Sequence, residues 1–409
     1  MNILIVGPYP PPFGGISSLI RSLVEGFKKK DVKKVLVLYF GSSNKVREVE
    51  GAIVYERSVR KNLWRILLPS NWVLIPGLFE IYAGNNLSLK DYFQILVKAI
   101  LTNDLVKKHN INTSSFYQSD TSMHLLLCKK IWKEDTSIIL NVFGEIYDVS
   151  GYLLPKKKIL LEMLYQSNAV ISSSCYCAES FETIGNERDI EVIYVGVSVS
   201  RFSDGHILRE DYRNELGISK DTTVLLFMGR FNREMGLHSI LQMTPFLVDS
   251  DIDFHLILAG ASGELVQPAY EYQSKYPSNI SIMNDIPFDL QPSLYAASDI
   301  VLAPSRDKHA CMGVSIKEAM AAAVPVIASD SGGIPEAVMH NETGLIVPLL
   351  EDGENDIESF VQSILSLSVN KEKIISLGNN SRTRAIKIFS EEETLEKTFS
   401  VFEEHAPSQ

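Results

Sequence analysis

Residues 299–348, DIVLAPSRDKHACMGVSIKEAMAAAVPVIASDSGGIPEAVMHNETGLIVP, constrain the fold more than any other stretch of the chain. They read as strand, loop, helix, strand, glycine turn and helix. DIVLAP is a short apolar run closed by proline, the pattern of a buried parallel strand. Gly313 opens a helix over GVSIKEAMAAA, which puts Glu318 on the second turn. PVIAS is the next strand, and Gly332 and Gly333 turn the chain into another helix. Strands alternating with helices build a parallel sheet, and both helix N-termini point to its carboxyl edge. Free backbone N–H groups at that edge suit phosphate. A carboxylate one turn deeper only accepts hydrogen bonds, so two neighbouring hydroxyls can both donate to it. The segment has the form of a site for a nucleoside diphosphate, with Glu318 on the ribose.

The same alternation runs along the chain. NILIVG, KVLVLY, SIILNVF and AVISSS are strand-like in the first half; VLLFMGR, FHLILAG, ISIMND, DIVLAP and PVIAS follow in the second. Two consecutive β-α series in 409 residues predict an α/β protein of two Rossmann-like domains. A first helix is expected over residues 16–30, entered through Gly14-Gly15, and an amphipathic helix over residues 388–404. Strand–glycine–helix units occur in any Rossmann-like fold. Here the prolines of GPYPPPFGG make a rigid loop unlike a G-x-G-x-x-G fingerprint, and no acidic residue follows KVLVLYFGSS to hold an adenine ribose. Dinucleotide binding is disfavoured.

The chain resembles the retaining glycosyltransferases of the "glycosyl transferases group 1" family (family 4). The matching elements are Pro304-Ser305, Glu318-Ala319-Met320-Ala321, Pro325-Val326-Ile327-Ala328-Ser329 and Gly332-Gly333-Ile334-Pro335-Glu336, in the family's order. The resemblance implies the GT-B fold, two Rossmann-like domains facing across a cleft, with the last helix crossing back to the first domain. Val195-Gly196-Val197-Ser198 with Phe202 is similar to the family's interdomain wording. It sets the expected domains at residues 1–195, completed by about 389–409, and 196–388. FMGRFNREMGL resembles the element G-R-x-x-x-x-K-G and gives Arg230 to the departing diphosphate, with Glu318 beside it as the second residue carrying the chemistry. On the donor side the resemblance places Gly14 and Gly15, then Gly229, Arg233 and Gly260, then Ala310, Cys311, Met312, Gly313 and Val314.

Three positions depart from the family pattern. Met235 stands where the lysine is expected; a cation there stabilises charge that develops on the phosphate, so Arg233 or Arg306 must supply it or rate is lost. Ala310 stands at the first glutamate of E-x7-E, which in the family meets the donor sugar; Asp307 and His309 lie close by. Phe143 stands where many relatives end a strand in histidine. The resemblance implies front-face chemistry, in which the leaving phosphate assists the incoming hydroxyl, so no side-chain base is demanded. Phe143 then shapes the sugar pocket, and Glu145 and Asp148 are the nearest carboxylates for acceptor hydroxyls. His124 reads as a helix residue rather than a catalyst. Asp249-Ser250-Asp251 sits in a polar loop, so no metal or other cofactor is expected.

A net charge of -11 argues against a general nucleic-acid binder. Cys128, Cys175, Cys177 and Cys311 have no metal-ligand spacing and read as free thiols. The opening MNILIVGPYPPP is not a signal peptide, and no apolar run reaches the ~18 residues of a membrane span. The expected location is cytoplasmic. Residues 56–82 mix arginines and a lysine with Trp64, Trp72 and leucines, and Lys28-Lys29-Lys30 and Lys156-Lys157-Lys158 are further basic runs. Such clusters suit peripheral contact with the anionic inner face of a membrane; the competing reading is an irregular insertion with solvated flanks.

Taken with the resemblance, these features lead to an expected sugar transfer from a nucleotide-sugar donor to a glycan or glycolipid acceptor, as in surface polysaccharide (lipopolysaccharide or capsule) synthesis. Two alternatives remain open at this point. One is a GT-B nucleotide-sugar epimerase. The other is a nucleotide-sugar-binding relative with weakened chemistry, to which Met235, Ala310 and Phe143 all point.

Overall fold

The computed structural model describes residues 1–10, 15–30, 32–82, 87–118, 121–132, 135–147, 156–203, 205–306 and 311–407. The chain forms two compact units, Met1–Val195 with Thr394–Gln409, and Gly196–Glu393.

The first unit is built on a sheet of β1 (Asn2–Val6), β2 (Lys34–Phe40), β3 (Lys45–Val49), β4 (Ala52–Arg57), β5 (Thr113–Tyr117), β6 (Ser137–Val142), β7 (Ala169–Ser172) and β8 (Glu191–Val192). Their order is β3-β4-β2-β1-β5-β6-β7-β8, parallel throughout except for the antiparallel edge strand β3. Side chains alternate between faces along a strand, and β1 is apolar on both. Ile3 and Ile5 meet Ile20, Leu23, Val24 and Phe27 of the helix Gly15–Phe27. Leu4 and Val6 face the opposite core, with Leu36, Phe116 and Leu140, covered by helices Leu89–His109 and Leu125–Trp132. The first of these two helices starts in a capping box between Ser88 and Asp91 and stops at Asn110, which is left-handed at φ 51°. The helix Glu391–Glu404 completes the core, with Phe399 and Phe402 packed 6.1 and 5.6 Å from the Phe27 ring.

The second unit has an all-parallel sheet of β9 (Thr223–Met228), β10 (Phe254–Gly260), β11 (Ile280–Asn284), β12 (Ile300–Ala303), β13 (Val326–Ser329) and β14 (Gly344–Val347), ordered β11-β10-β9-β12-β13-β14. Leu225 and Phe227 pack against Leu237, Ile240 and Leu241 of the helix Leu237–Val248 and against Phe360 and Ile364. Each sheet grows outward from its first strand in both directions. The strand order therefore reverses beside β1 and beside β9, where open α/β sheets form their ligand crevice.

The nine strands expected from sequence are all present, together with β3, β4, β5, β8 and β14, which were not anticipated. Two helices differ from expectation. The terminal amphipathic helix is one piece, Glu391–Glu404, but starts three residues later than expected: helix Lys371–Ile388 ends first, and Ser390 starts the next by accepting the Glu393 N–H on its hydroxyl at 3.2 Å. SGGIPEAV yields only one turn, Ile334–Ala337, before the chain extends at Val338. A single turn sums few peptide dipoles, so it adds little to anion binding. Among the described residues no helix is long and apolar enough to cross a membrane.

Candidate functional site

In the second unit the residues singled out from sequence converge on the carboxyl edge of the sheet, around the reversal between β9 and β12. β9 runs into Gly229 and Arg230, β10 ends at Gly260, and β12 leads into Pro304, Ser305 and Arg306. Gly229 donates its N–H to Ala259 O at 3.0 Å, which holds the first two turns together. The loop after β12 returns at Cys311 and Met312, and Gly313 caps the helix Val314–Ala321 with φ 73° and ψ 130°, a conformation that disfavours any side chain. A Cβ on Gly333 would lie 1.8 Å from Cys311 O, so this glycine lets the two loops touch. Met312 is buried, while Gly313 and Val314 stay partly open at the helix N-terminus. Ala310, Asp307 and His309 lie outside the described residues.

The cations separate by environment. Arg230 and Arg233 are exposed and make no ion pair among the described residues. The Arg233 backbone N–H donates to Glu264 at 2.9 Å, fixing the loop rather than the guanidinium. Arg306 behaves differently: its N–H donates to Glu234 O at 2.9 Å and its guanidinium is held by Glu354. Of the two arginines considered as replacements for the lysine, Arg233 is the one whose guanidinium has no ion pair among the described residues. Met235 packs against the core of the unit.

Glu318 sits on the second turn of its helix, as expected, but is only 9% exposed. Its Oε2 accepts the Tyr295 hydroxyl at 2.9 Å, and Arg201 Nη1 lies 4.0 Å from Oε1. Burial pushes its carboxyl pKa up, opposed by Tyr295, Arg201 and the neighbouring Lys317. Lys317 is itself buried, which lowers its pKa to about 7. With one oxygen anchored, Oε1 keeps acceptor capacity for a hydroxyl donor. Sequence reasoning missed Arg201 and Tyr295. Arg201 comes from the short helix Val199–Phe202 and is held by Phe288, whose carbonyl accepts from Nη2 at 2.7 Å and whose ring lies 3.5 Å below the guanidinium. The remote pairing left no local signal; the only clue was an arginine within the SRF turn that opens the unit. Beneath the site Asp299 accepts from Arg209 and Arg213 at 2.5 Å each and from the Val224 N–H at 2.7 Å, tying β9 to β12.

In the first unit Gly15 is the exposed first residue of its helix, and Gly14 lies outside the described residues. Phe143 follows β6 and lines a pocket with Leu19, Tyr117, Asn141 and Ser173. Glu145 is buried, and its Oε2 accepts the Phe143 N–H at 2.5 Å, so one oxygen shapes its own loop. Asp148 is outside the described residues. His124 is buried between Phe40 and Phe116, and burial lowers its pKa well below the usual range, keeping it neutral. Cys128 is a buried free thiol and Cys175 an exposed one. Cys177 and Cys311 are not free thiols, which corrects the expectation for those two. Among the described residues no group of three His, Cys, Asp or Glu side chains could hold a metal.

Known proteins resemble this chain in sequence and in fold. The profile of the family "glycosyl transferases group 1" matches residues 209–384. Spore coat protein SA of Bacillus subtilis is 25% identical over 66% of this chain and 73% of its own. A GDP-mannose-dependent alpha-(1-6)-phosphatidylinositol monomannoside mannosyltransferase of Mycobacterium tuberculosis is 22% identical over 93% of this chain and 92% of its own. Anabaena HepE, solved in complex with UDP and glucose, superposes with a TM-score of 0.74 at 15% identity, covering 98% of this chain and 99% of that one. Residues 209–384 thus match the glycosyl transferases group 1 family, the relatives include glycosyltransferases, and the chain has the GT-B fold.

Proposed function

We propose that the protein is a retaining glycosyltransferase of family 4 that moves a sugar from a nucleoside diphosphate sugar to a hydroxyl of a glycan or lipid-linked glycan, in the synthesis of a surface polysaccharide or a related glycoconjugate. The observation that carries this reading is the convergence at one sheet edge of an unpaired Arg230, the open N-terminus at Gly313 and Val314, and Glu318 one turn deeper. The GDP-mannose dependence of the mannosyltransferase and the UDP and glucose bound in the HepE structure support the ligand class.

In this reading the backbone N–H groups at Gly313 and Val314 and the guanidinium of Arg230 receive the diphosphate, and Glu318 Oε1 accepts from the ribose. The bond from the anomeric carbon to the phosphate oxygen breaks, and the acceptor oxygen bonds to the same face of the sugar. The acceptor proton passes to the departing phosphate. Charge that builds on that phosphate is met by Arg230 and Arg233, so no metal or other cofactor is required. The family resemblance gives Phe143 to the sugar and Glu145 to the acceptor.

A thermal-shift panel of UDP, GDP and their sugars tests the donor class. A ligand at 100 times its Kd adds about 2.7 kcal/mol of stability, so one nucleotide series should raise the melting temperature; no response to any would contradict the reading. Met235 and Ala310 favour a second reading, a donor-binding relative with weak transfer. Ala310→Glu separates the two. If the site is a working transferase short of one contact, the substitution raises turnover and leaves free-nucleotide affinity unchanged, because the contact is made to the sugar in the transition state.

A further inference from the structure

The segment that follows β4 turns its apolar side chains outward. A short helix, Arg60–Leu67, leads through Pro69–Asn71 to the helix Leu74–Tyr82. Leu74, Gly77, Leu78 and Tyr82 of the last helix are buried. Pro76 and Phe79 on its other side, with Trp72 and Val73 in the turn just before it, are all exposed. Trp64 and Leu67 precede them, 55% and 75% exposed. Leu89 and Phe93, at i and i+4 of the next helix, extend the surface, and the stacking of Phe79 on Tyr92 at 6.0 Å joins the two helices. This surface is fixed in place. Arg65 pairs with Asp104 at 2.5 Å, Asn71 donates to Arg65 O at 2.9 Å, and the Trp72 indole donates to Ile66 O at 3.1 Å. A rigid apolar surface of this extent on a soluble domain marks an interaction site.

Among the described residues, the charges around it that are left without a partner are of one sign. Arg60, Lys61 and Lys90 are exposed and make no ion pair among the described residues. The nearby acids are engaged: Glu80 by Lys130, Asp91 in the cap of Ser88, Asp104 by Arg65. Of the two lysine runs, Lys30 is paired with Glu396 and Lys156 is buried, while Lys28, Lys29, Lys157 and Lys158 are exposed. The geometry points to an anionic lipid surface as the occupant: half-exposed tryptophans and aliphatics enter the headgroup–acyl boundary, while Arg60, Lys61 and Lys90 meet the headgroups. A second copy of the chain would bring the same unpaired cations against each other.

Co-sedimentation tests this with the full-length protein, neutral phosphatidylcholine vesicles and vesicles containing phosphatidylglycerol, at low and moderate salt. The protein should pellet with the anionic vesicles at low salt and in part at moderate salt, because tryptophan burial is not screened. Arg60→Glu with Lys61→Glu should weaken low-salt binding at least about tenfold. Trp64→Ser with Trp72→Ser should abolish the salt-resistant part. Both variants replace exposed side chains, and unchanged melting temperatures and nucleotide binding will show that they are folded. Absence of the wild-type protein from the anionic pellet, equal binding to both vesicle types, or self-association lost in the tryptophan variant would overturn the proposal.

Discussion

Around Glu318 the second domain draws charged groups inward and pairs them; along residues 60–79 the first domain turns apolar groups outward and leaves them uncovered. Glu318, Lys317, Arg213 and Tyr295 are all buried, whereas Trp64, Leu67, Trp72 and Val73 are at least half exposed. Buried charge is costly unless paired, and exposed apolar surface forgoes a stabilisation of about 25 cal/mol per Å². Each region therefore gives up folding energy, and each does so where a ligand or surface is expected to dock. The consequence is opposite for mutation. Substitutions near Glu318 should disturb the fold and the site together; substitutions on the outer surface should leave the fold untouched.

The largest effect is expected at Asp299. Asp299→Ala leaves the buried Arg213, 5% exposed, without its carboxylate partner and should destabilise the second domain by about 3 kcal/mol, read as a lowered denaturation midpoint. A loss under about 1 kcal/mol would mean that carbonyl acceptors alone satisfy the arginine.

A smaller change, roughly 1–2 kcal/mol, is expected for Tyr295→Phe, which removes one hydroxyl from Glu318 and keeps the ring. Since Tyr295 helps to hold the carboxyl ionised, the variant should also move the Glu318 pKa further upward, detectable as nucleotide affinity lost at a higher pH than in the wild type.

Lys317 gives a pH signature. Its pKa is about 7 in the folded chain, against about 10.4 when unfolded. Below pH 7 both states hold the proton and the folded state carries the full cost of a buried ammonium. Between the two values the unfolded chain binds more protons, so stability rises with pH. Lys317→Met should flatten that rise, gaining on the wild type at pH 6 and less at pH 9 in denaturant titrations. An unchanged slope would show that the ammonium is solvated. At the small end, Trp72→Ser should shift stability by no more than about 0.5 kcal/mol, which a larger drop in melting temperature would refute.

The sequence was most legible where function and fold use the same residues. DIVLAP, PVIAS and the glycine turn needed only their period and punctuation, and Glu318 followed from its place one turn inside a helix. β5 was invisible because TSSFY carries four hydroxyl residues yet is wholly buried, which alternation cannot signal. The edge strand β3, KVREV, hid for the opposite reason, being polar on both faces. The break at Ser390 was passed over because apolar spacing continues beyond it, though a serine three residues before Glu393 was the available cap signal. Tyr295 and Arg201 reach Glu318 through tertiary packing, 23 residues away in the case of Tyr295, and no local pattern encodes that contact.

Isothermal titration calorimetry of UDP and GDP against the wild type and Glu318→Ala addresses the donor site directly. The assignment predicts that the wild type binds at least one of them and that the variant loses roughly 1–3 kcal/mol, about 5- to 150-fold in Kd, because ribose hydroxyls are left unpaired. Equal affinity in both proteins would contradict it.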